Sequence, residues 1–444
     1  MRADWPRGAF VAVALVAGAS CATHQAPDRT RVAAGIADRT GINAGGLPAS
    51  GREWAIPPGT SVDDGLTIDA AVGIALWNNT EFQAALASLG VARADLIDAG
   101  LLKNPILSLL FPWGPKQLEF TASWAVDAAW QRPKRIADAK LTAEAVAEQV
   151  VSSGVRLVAD VRLAFLDALT AERRVALASE QSEIAAQATR LAEGRLRAGD
   201  ISQFDARLAQ AEAVRFEAAR LTRVSARELA YVRLRALVGQ DQAAPPLRLI
   251  APAGPPATCA PAPELFRQAL AARPDVRAAE LQIEAAGARA GLERARIVSF
   301  MVSLDANAKG SEGFELGPGL SVELPVLSQN QGRRARAAAE LEQASRRYLA
   351  VRAAVAAEVG AAIVGLTEAE SVARLLSDEV TASISAAKLQ AERLFAAGEI
   401  SLLDLLATRQ RLIDVEATRV DAEFGVTRAT VRLEQAVGKT CGVK

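Results

Sequence analysis

The feature that most restricts this chain is an internal repeat with a spacing of 199 residues. Gly199-Asp200-Ile201-Ser202-Gln203-Phe204-Asp205 recurs as Gly398-Glu399-Ile400-Ser401-Leu402-Leu403-Asp404, and the helical patterns that follow end at Gly239 and Gly438. Solenoid repeats have periods of about 20 to 50 residues. The longer spacing therefore indicates a duplicated half-molecule, in which each half predicts the structure of the other.

Both halves show the same order of elements: helix, β-hairpin, very long helix, tight turn and helix. In the first half we predict a helix over 67–99, strands over 106–111 and 117–126, a long helix over 133–197 and a helix over 202–238. In the second half the corresponding ranges are 263–296, 298–309, 314–324 and 331–396, followed by the last helix. A helix of about 65 residues forms a rod of roughly 100 Å, which no single globular domain needs.

The predicted strands alternate between apolar and polar residues with a period of two. Phe120, Ala122 and Trp124 alternate with Glu119, Thr121 and Ser123, and the second hairpin follows the same rule. Strands of about ten residues with this alternation are typical of transmembrane β-barrels. Four strands cannot close a barrel, and an open sheet edge in lipid leaves backbone groups unpaired. We therefore expect three chains to build one twelve-stranded barrel. The alternative, two hairpins on a soluble helical core, leaves the export signal and the rods unexplained.

Composition argues against nucleic-acid binding, a metal site and catalysis. Lys plus Arg and Asp plus Glu each number 51, so the chain has no basic excess for nucleic acid. The single histidine, His24, precedes the predicted helices. The sequence contains no Gly-x-Ser-x-Gly hydrolase motif, no phosphate-binding loop and no group of residues with the spacing of metal ligands. We predict that the chain is not an enzyme and needs no cofactor. No uncharged run of 18 residues follows the first 20, which disfavours an inner-membrane helix.

The first residues have the pattern of an export signal. Arg2 and Arg7 provide a basic start, and the uncharged stretch up to Ala19 is too short to span a bilayer. Gly18-Ala19-Ser20-Cys21 resembles a bacterial lipoprotein cleavage box, which predicts an acylated Cys21 carrying a lipid such as palmitate. Ordinary cleavage after Ala19 is the alternative.

These patterns divide the chain into six segments. They are a signal peptide (1–20), a lipid-anchored irregular tether (21–65), a first helix/β-hairpin repeat (66–240), a connector (241–263), a second repeat (264–439) and a C-terminal tail (440–444).

The duplicated plan and the paired Gly-x-x-x-x-x-Asp turns resemble the TolC-type outer-membrane efflux family over roughly residues 65–440. The resemblance implies a mostly helical fold with a small β part, in which a trimeric α-barrel joins a 12-stranded transmembrane β-barrel. It also implies a homotrimer in the outer membrane that extends into the periplasm and conducts substrates passively. Its partners would be outer-membrane lipid, a periplasmic adaptor and an inner-membrane pump. The competing hypothesis is a lipid-anchored coiled-coil scaffold without a pore.

Two sequences at the start of the rods differ in how well they fit this family. Trp130-Gln131-Arg132-Pro133-Lys134-Arg135 stands where the family usually has Gly-Gly-Arg, whereas Asn330-Gln331-Gly332-Arg333-Arg334 keeps a closer version.

Asp205 and Asp404 have two interpretations that are compatible with each other. Ser202-x-x-Asp205 and Ser401-x-x-Asp404 match a capping box at a helix N-terminus. The resemblance implies in addition that the two aspartates belong to the constriction of the periplasmic aperture. It further implies that an adaptor docks on the turns, which comprise Gly199, Asp200, Ile201, Ser202, Gly398, Glu399, Ile400 and Ser401.

Two cysteines remain after Cys21. Cys259 and Cys441 each follow the terminal glycine of their half, so the duplication predicts that they lie close together. We predict a disulfide between them in an oxidising compartment. The alternative is two free thiols in mobile tails.

Overall fold

The computed structural model describes residues 26–441 except 44–45, 49–53, 63, 112, 114–117, 242–247, 253–258, 309–313 and 377. The signal region and Cys21 lie outside the described residues, so their predicted roles are untested. The elements of the first half are α1 (Arg29–Thr40), α2 (Ile68–Asn78), α3 (Thr80–Gly100), β1 (Ile106–Leu110), β2 (Glu119–Ala125), α4 (Asp127–Ala198) and α5 (Gln203–Leu237).

The second half repeats this order. Its elements are α6 (Ala262–Ala272), α7 (Pro274–Ala295), β3 (Phe300–Ala308), β4 (Phe314–Val322), α8 (Gln331–Leu375), α9 (Asp378–Ala396) and α10 (Leu402–Val437). The predicted fold class, mostly helical with one small β part, is confirmed.

Some helix boundaries differ from the sequence prediction for local reasons. The first predicted helix divides at Asn79, whose Oδ1 accepts a hydrogen bond from the Phe82 backbone N–H at 2.9 Å and so starts α3. The corresponding helix of the second half divides at Arg273, because Pro274 disfavours a helical conformation in the preceding residue. The first rod, α4, has 72 residues and begins at Asp127, with Pro133 inside it.

The prediction of an irregular tether is wrong for residues 29–40, which form helix α1. Val32 and Ile36 stand four positions apart and are buried, which is the spacing of one helical face. Ile36 packs against Gly154 of α4, where the absence of a side chain makes room for it. A single pair of apolar residues in a polar stretch gives too weak a periodic signal to predict this helix.

The chain divides into two compact units, and each takes residues from both halves of the repeat. The first unit comprises residues 1–32, 85–150 and 274–353 and contains the β-sheet. The second comprises residues 33–84, 151–273 and 354–444 and contains both tight turns. Its core includes Val161 and Phe165 of α4, Leu234 of α5 and Leu433 of α10, all at most 1% exposed.

The four strands of the first unit form one antiparallel sheet in the order β1-β2-β3-β4. The central pairing joins the two halves of the repeat and aligns Thr121 with Asp305 and Ala122 with Leu304. Residues opposite each other share a face of the sheet, so along this central pairing polar residues mostly stand beside polar ones and apolar beside apolar. The predicted alternation therefore continues from β2 to β3, whereas β1 departs from it, because Ile106 and Leu110 lie opposite Ser123 and Glu119. Strands β1 and β4 form the edges of the sheet.

One described helix is long and apolar enough to cross a membrane by length and composition. It is α8, whose most apolar 18-residue window is only 11% buried. Two valines of this helix, Val355 and Val359, are nevertheless at most 1% exposed.

Candidate functional site

The two tight turns lie in the second unit and share one backbone geometry. Gly199 follows α4 with a φ of 84°, and Gly398 follows α9 with a φ of 77°. This left-handed conformation strains residues that have a Cβ, which explains glycine at both positions. The Asp200 N–H donates to the Arg195 carbonyl, and the Glu399 N–H donates to the Leu394 carbonyl, both at 2.9 Å. Each long helix therefore ends in a Schellman motif.

Both returning helices begin with the predicted capping box. The Ser202 Oγ accepts a hydrogen bond from the Asp205 N–H at 3.1 Å, while an Asp205 carboxylate oxygen accepts from the Ser202 N–H at 3.3 Å. Ser401 and Asp404 repeat this exchange, with both distances 3.2 Å. Each carboxylate also lies at the positive end of its helix dipole. The capping role of both aspartates is thereby confirmed.

The charge of Asp404 is stabilised by this arrangement. Hydrogen bonds from the Ser401 side chain and, next, from its backbone N–H hold the pKa of the Asp404 carboxyl below its usual value. The carboxyl group is exposed to solvent. A carboxylate with a lowered pKa stays ionised in mildly acidic solution, so the turn carries a fixed negative charge.

The two turns are connected by a contact between the halves of the repeat. The Arg195 guanidinium lies 5.1 Å from the centre of the Phe395 ring, a cation–π distance. Because Arg195 stands in the last turn of α4 and Phe395 in the last turn of α9, the contact holds the two helix ends together. The sequence shows both residues, yet no local pattern indicates that they meet.

Ion pairs further along α4 also join it to helices of the second half. The Glu180 carboxylate lies 2.7 Å from Lys388 of α9, and the Arg174 guanidinium binds both carboxylate oxygens of Asp421 on α10 at 2.6 Å. A two-point contact of this kind fixes orientation more strictly than a single one. The C-terminal half of α4 is therefore aligned with α9 and α10 by specific polar contacts as well as by apolar packing.

The sheet of the first unit offers a polar face with acidic groups. Asp305 accepts a hydrogen bond from the Thr121 hydroxyl at 2.6 Å, and the register places Glu119 and Glu315 on either side of Asn307. The opposite face is apolar and exposed, and its residues are Leu107, Leu109, Leu304, Leu316 and Leu320, between 44% and 65% exposed.

Comparison with known proteins agrees with this architecture. Residues 265–439 match the family model described as outer membrane efflux protein. The cobalt-zinc-cadmium resistance protein CzcC of Cupriavidus metallidurans is 26% identical over 381 residues, which is 84% of this chain and 90% of CzcC. The second half of the chain is therefore similar to outer-membrane efflux proteins.

Solved channels of low sequence identity share the fold of this chain. CusC, described as forming a transmembrane channel, has a TM-score of 0.70 at 18% identity and covers 88% of this chain and 96% of its own. The outer-membrane channel CmeC of Campylobacter jejuni has a TM-score of 0.71 at 15% identity, with 89% and 92% covered.

All the turn residues singled out from the sequence lie at or next to the ends of long helices. Their roles in an aperture and in docking an adaptor remain predictions.

The cysteine pair also lies in the second unit. The structure joins Cys259 and Cys441 in a disulfide, with the Cα atoms 4.8 Å apart. The Cys441 N–H donates to the Glu434 carboxylate at 2.9 Å, and the Thr440 N–H donates to the Arg39 carbonyl at 2.9 Å. The C-terminal tail is thus held to α10, to the connector and to α1.

Burial raises the pKa of Glu434 despite its contact with Arg162 at 3.2 Å.

Proposed function

We propose that this protein is the outer-membrane exit duct of a tripartite efflux system. Three chains would build one barrel of twelve strands in the outer membrane and one helical barrel in the periplasm. A periplasmic adaptor and an inner-membrane pump would supply the substrate and the energy, while the duct conducts passively. The chain itself would perform no catalysis.

The observation that carries the proposal is the four-stranded sheet with one apolar face and two free edges. Leu316 and Leu320 on that face are 63% and 65% exposed, which is costly in water but favourable against lipid. Pairing β4 of one chain with β1 of the next would satisfy the backbone groups of both edges. Three such junctions close a cylinder whose polar face, with Asp305, lines the lumen.

The helices provide support for the same assembly. The most apolar window of α8 is only 11% buried within one chain. Contact with a neighbouring subunit would remove this surface from water without requiring α8 to cross a membrane, since Val355 and Val359 of the same helix are already buried within the chain.

The turns after α4 and α9 form the proposed periplasmic mouth. Three copies of Asp404, each ionised because of its hydrogen bonds to Ser401, would surround the axis and favour cations over anions. Asp205 would belong to the same constriction. The exposed turn residues around Gly199 and Gly398 are the proposed contacts for the adaptor, because they present a pair of repeated Schellman turns at one end of the long helices.

Cys21 is the proposed site of a lipid anchor in the outer membrane. Labelled palmitate should be incorporated into the natural protein and not into Cys21→Ser. Equal labelling of the variant would exclude acylation at this residue.

Divalent transition-metal cations are the proposed cargo. CzcC is named for resistance to cobalt, zinc and cadmium, and the acidic groups Glu119, Asp305 and Glu315 on the polar face would favour cations in the lumen. Deleting the gene should increase zinc sensitivity more than sensitivity to neutral drugs. The opposite ranking would assign the duct to drug efflux.

Planar-bilayer recording tests the channel itself. The purified full-length protein should insert from detergent and produce discrete, reproducible conductance steps. A water-soluble monomer that produces no steps would refute the proposal and favour a scaffold without a pore.

A further inference from the structure

We propose that the rod-side end of the β-sheet is a binding surface for anionic phospholipid headgroups. The inference rests on the proposed membrane insertion of the sheet. It identifies which residues contact the membrane surface and which lipid chemistry they select, namely a phosphodiester with a net negative charge.

All four connections between strands and helices emerge at one end of the sheet. The register pairs Ile106 with Ser123, Ala125 with Met301 and Phe300 with Val322. The starts of β1 and β3 and the ends of β2 and β4 therefore lie side by side. We call this end of the strands the rod-side end, because the long helices α4 and α8 start there.

These connections are strongly basic. Residues 100–105, 126–135, 294–299 and 323–334 contain eight Lys or Arg residues and only two Asp or Glu residues. The two acids are already engaged, because Asp127 accepts a hydrogen bond from Gln131 at 3.2 Å and Glu323 accepts one from Ser299 at 2.6 Å. Gln131 and Ser299 are neutral, so both carboxylates keep their charge; with the adjacent Glu293 counted as a third acid, eight cations still leave an excess of positive charge at this end of the sheet.

Three of the eight cations make contacts that stabilise the fold. Arg132 donates to the Gly100 carbonyl at 2.7 Å and Arg135 donates to the Leu101 carbonyl at 3.0 Å, so both bind the C-terminal end of α3. Arg296 pairs with the buried Glu293 at 2.6 Å. These contacts explain the basic sequence that follows Trp130 where the family has glycines: two of its cations hold α3 against the start of α4.

The other five cations are exposed and form what we call the basic collar: Lys103, Lys134, Arg294, Arg333 and Arg334. Lys134 makes one long hydrogen bond to the Gly291 carbonyl, at 3.4 Å. The other four make no ion pair with any residue in the described part of the chain. Since every one of the four strand connections contributes a member, the collar extends along the whole rod-side end.

An aromatic side chain stands at the same level. Trp130 is 47% exposed, and its ring contacts Phe300 edge-on with the centroids 5.3 Å apart. Tryptophan and basic residues together are typical of the boundary between hydrocarbon and headgroups. The apolar sheet face on one side and the basic collar on the other match the two layers of a membrane surface. Anionic headgroups are the occupants that complement this charge.

Spin-labelled lipids measure the preference directly. The full-length protein would be reconstituted in phosphatidylcholine vesicles, and the association of labelled phosphatidylglycerol would be compared with that of labelled phosphatidylcholine. We expect labelled phosphatidylglycerol to associate with the protein at least about five-fold more than labelled phosphatidylcholine. This factor corresponds to the attraction between a single cation and an anionic lipid surface. High salt should reduce it, because the collar is exposed.

Matched variants identify the residues responsible. The variant Lys103→Gln/Arg333→Gln/Arg334→Gln should lose most of the preference, because these cations make no ion pair that folding requires. The control Arg190→Gln/Arg207→Gln/Arg223→Gln removes three exposed cations from α4 and α5 in the other unit and should keep it.

Each outcome separates the two proposals. A protein that conducts in planar bilayers but shows equal association of the two lipids refutes the collar and leaves the duct intact. Retained preference in the collar variant also refutes it, as does loss of the preference on adding inorganic phosphate at constant ionic strength, which would indicate a small-anion site. A protein that fails to insert refutes the proposed function itself.

Discussion

Gly154→Ala should loosen the N-terminal helix. Gly154 lies within α4, and a Cβ built there would be 2.3 Å from Ile36 Cδ1, 2.9 Å from Ile36 Cγ1 and 3.1 Å from Phe82 Cε2. Real Cβ atoms do not approach others so closely, so α1 or the Phe82 ring must move. Ile36 is 1% exposed and Phe82 is 3% exposed, which leaves little room for either.

The expected size of the effect follows from the cost of overpacking. Overpacking a buried site costs about 1–3 kcal/mol. Alanine in place of glycine within a helix returns about 0.5–1 kcal/mol. Because α4 stays helical whether or not α1 packs on it, this gain does not offset the opening of α1. About 1–2 kcal/mol of the overpacking cost should therefore appear as local opening of α1, since this short helix can separate without unfolding the long ones.

Amide hydrogen exchange measured by mass spectrometry checks this prediction. Peptides covering residues 29–40 should exchange roughly 5- to 30-fold faster in Gly154→Ala, since about 1.4 kcal/mol corresponds to a factor of ten. Gly194→Ala is the matched control, because Gly194 lies in the same helix and a Cβ there would meet nothing within 4 Å. That variant should leave the exchange of α1 unchanged.

A second variant tests whether the effect of Gly154→Ala comes from the contact with Ile36. Ile36→Val removes the Cδ1 atom that lies 2.3 Å from the added Cβ, so Gly154→Ala should cost less in that background. Unchanged exchange of residues 29–40 in Gly154→Ala, or an equal cost in both backgrounds, would refute the packing of α1 against α4 at this glycine.

Three further predictions concern the second unit. Asp404→Asn should lower cation selectivity in reversal-potential measurements. Because its folded pKa is lowered, the stabilising charge of Asp404 is present above the ordinary value of 3.8 and is lost only as pH falls through the lower folded value; selectivity that already disappears near pH 5 would contradict this. Cys441→Ser should abolish the mobility difference between non-reducing and reducing electrophoresis. If the natural protein itself shows no such difference, the disulfide between Cys259 and Cys441 is refuted. Arg195→Ala and Phe395→Ala should show a coupling of about 0.5–1 kcal/mol in a double-mutant cycle of thermal stability, whereas strict additivity would mean that the cation–π contact contributes nothing.

Elements that depend on neighbouring residues were predictable from the sequence. The tight turns at Gly199 and Gly398, the capping boxes of Ser202 and Ser401, and the alternation along β2 and β3 all agree with the structure. Their common physical basis is short range: backbone sterics, hydrogen bonds spanning three or four residues, and side chains that alternate across a strand.

Helix boundaries were less predictable, because they depend on competing local signals. The stop at Asn79 comes from a side chain that binds a backbone N–H three residues later. Pro133, in contrast, does not stop α4 although it lacks an N–H. At that position the flanking Gln131 and Arg135 side chains bind Asp127 and Ala128, which supports the first turns of the helix.

By itself the sequence determined that the molecule is a duplicated unit of helices and amphipathic hairpins, because periodicity and turn chemistry are local. Only the tertiary structure decided that the hairpins join through β2 and β3, that Ile36 uses the space at Gly154, and that Arg195 meets Phe395. Each of these contacts joins residues more than a hundred positions apart. Their formation depends on the path of the whole chain and on the shape of the packed surfaces, which no short stretch of sequence encodes.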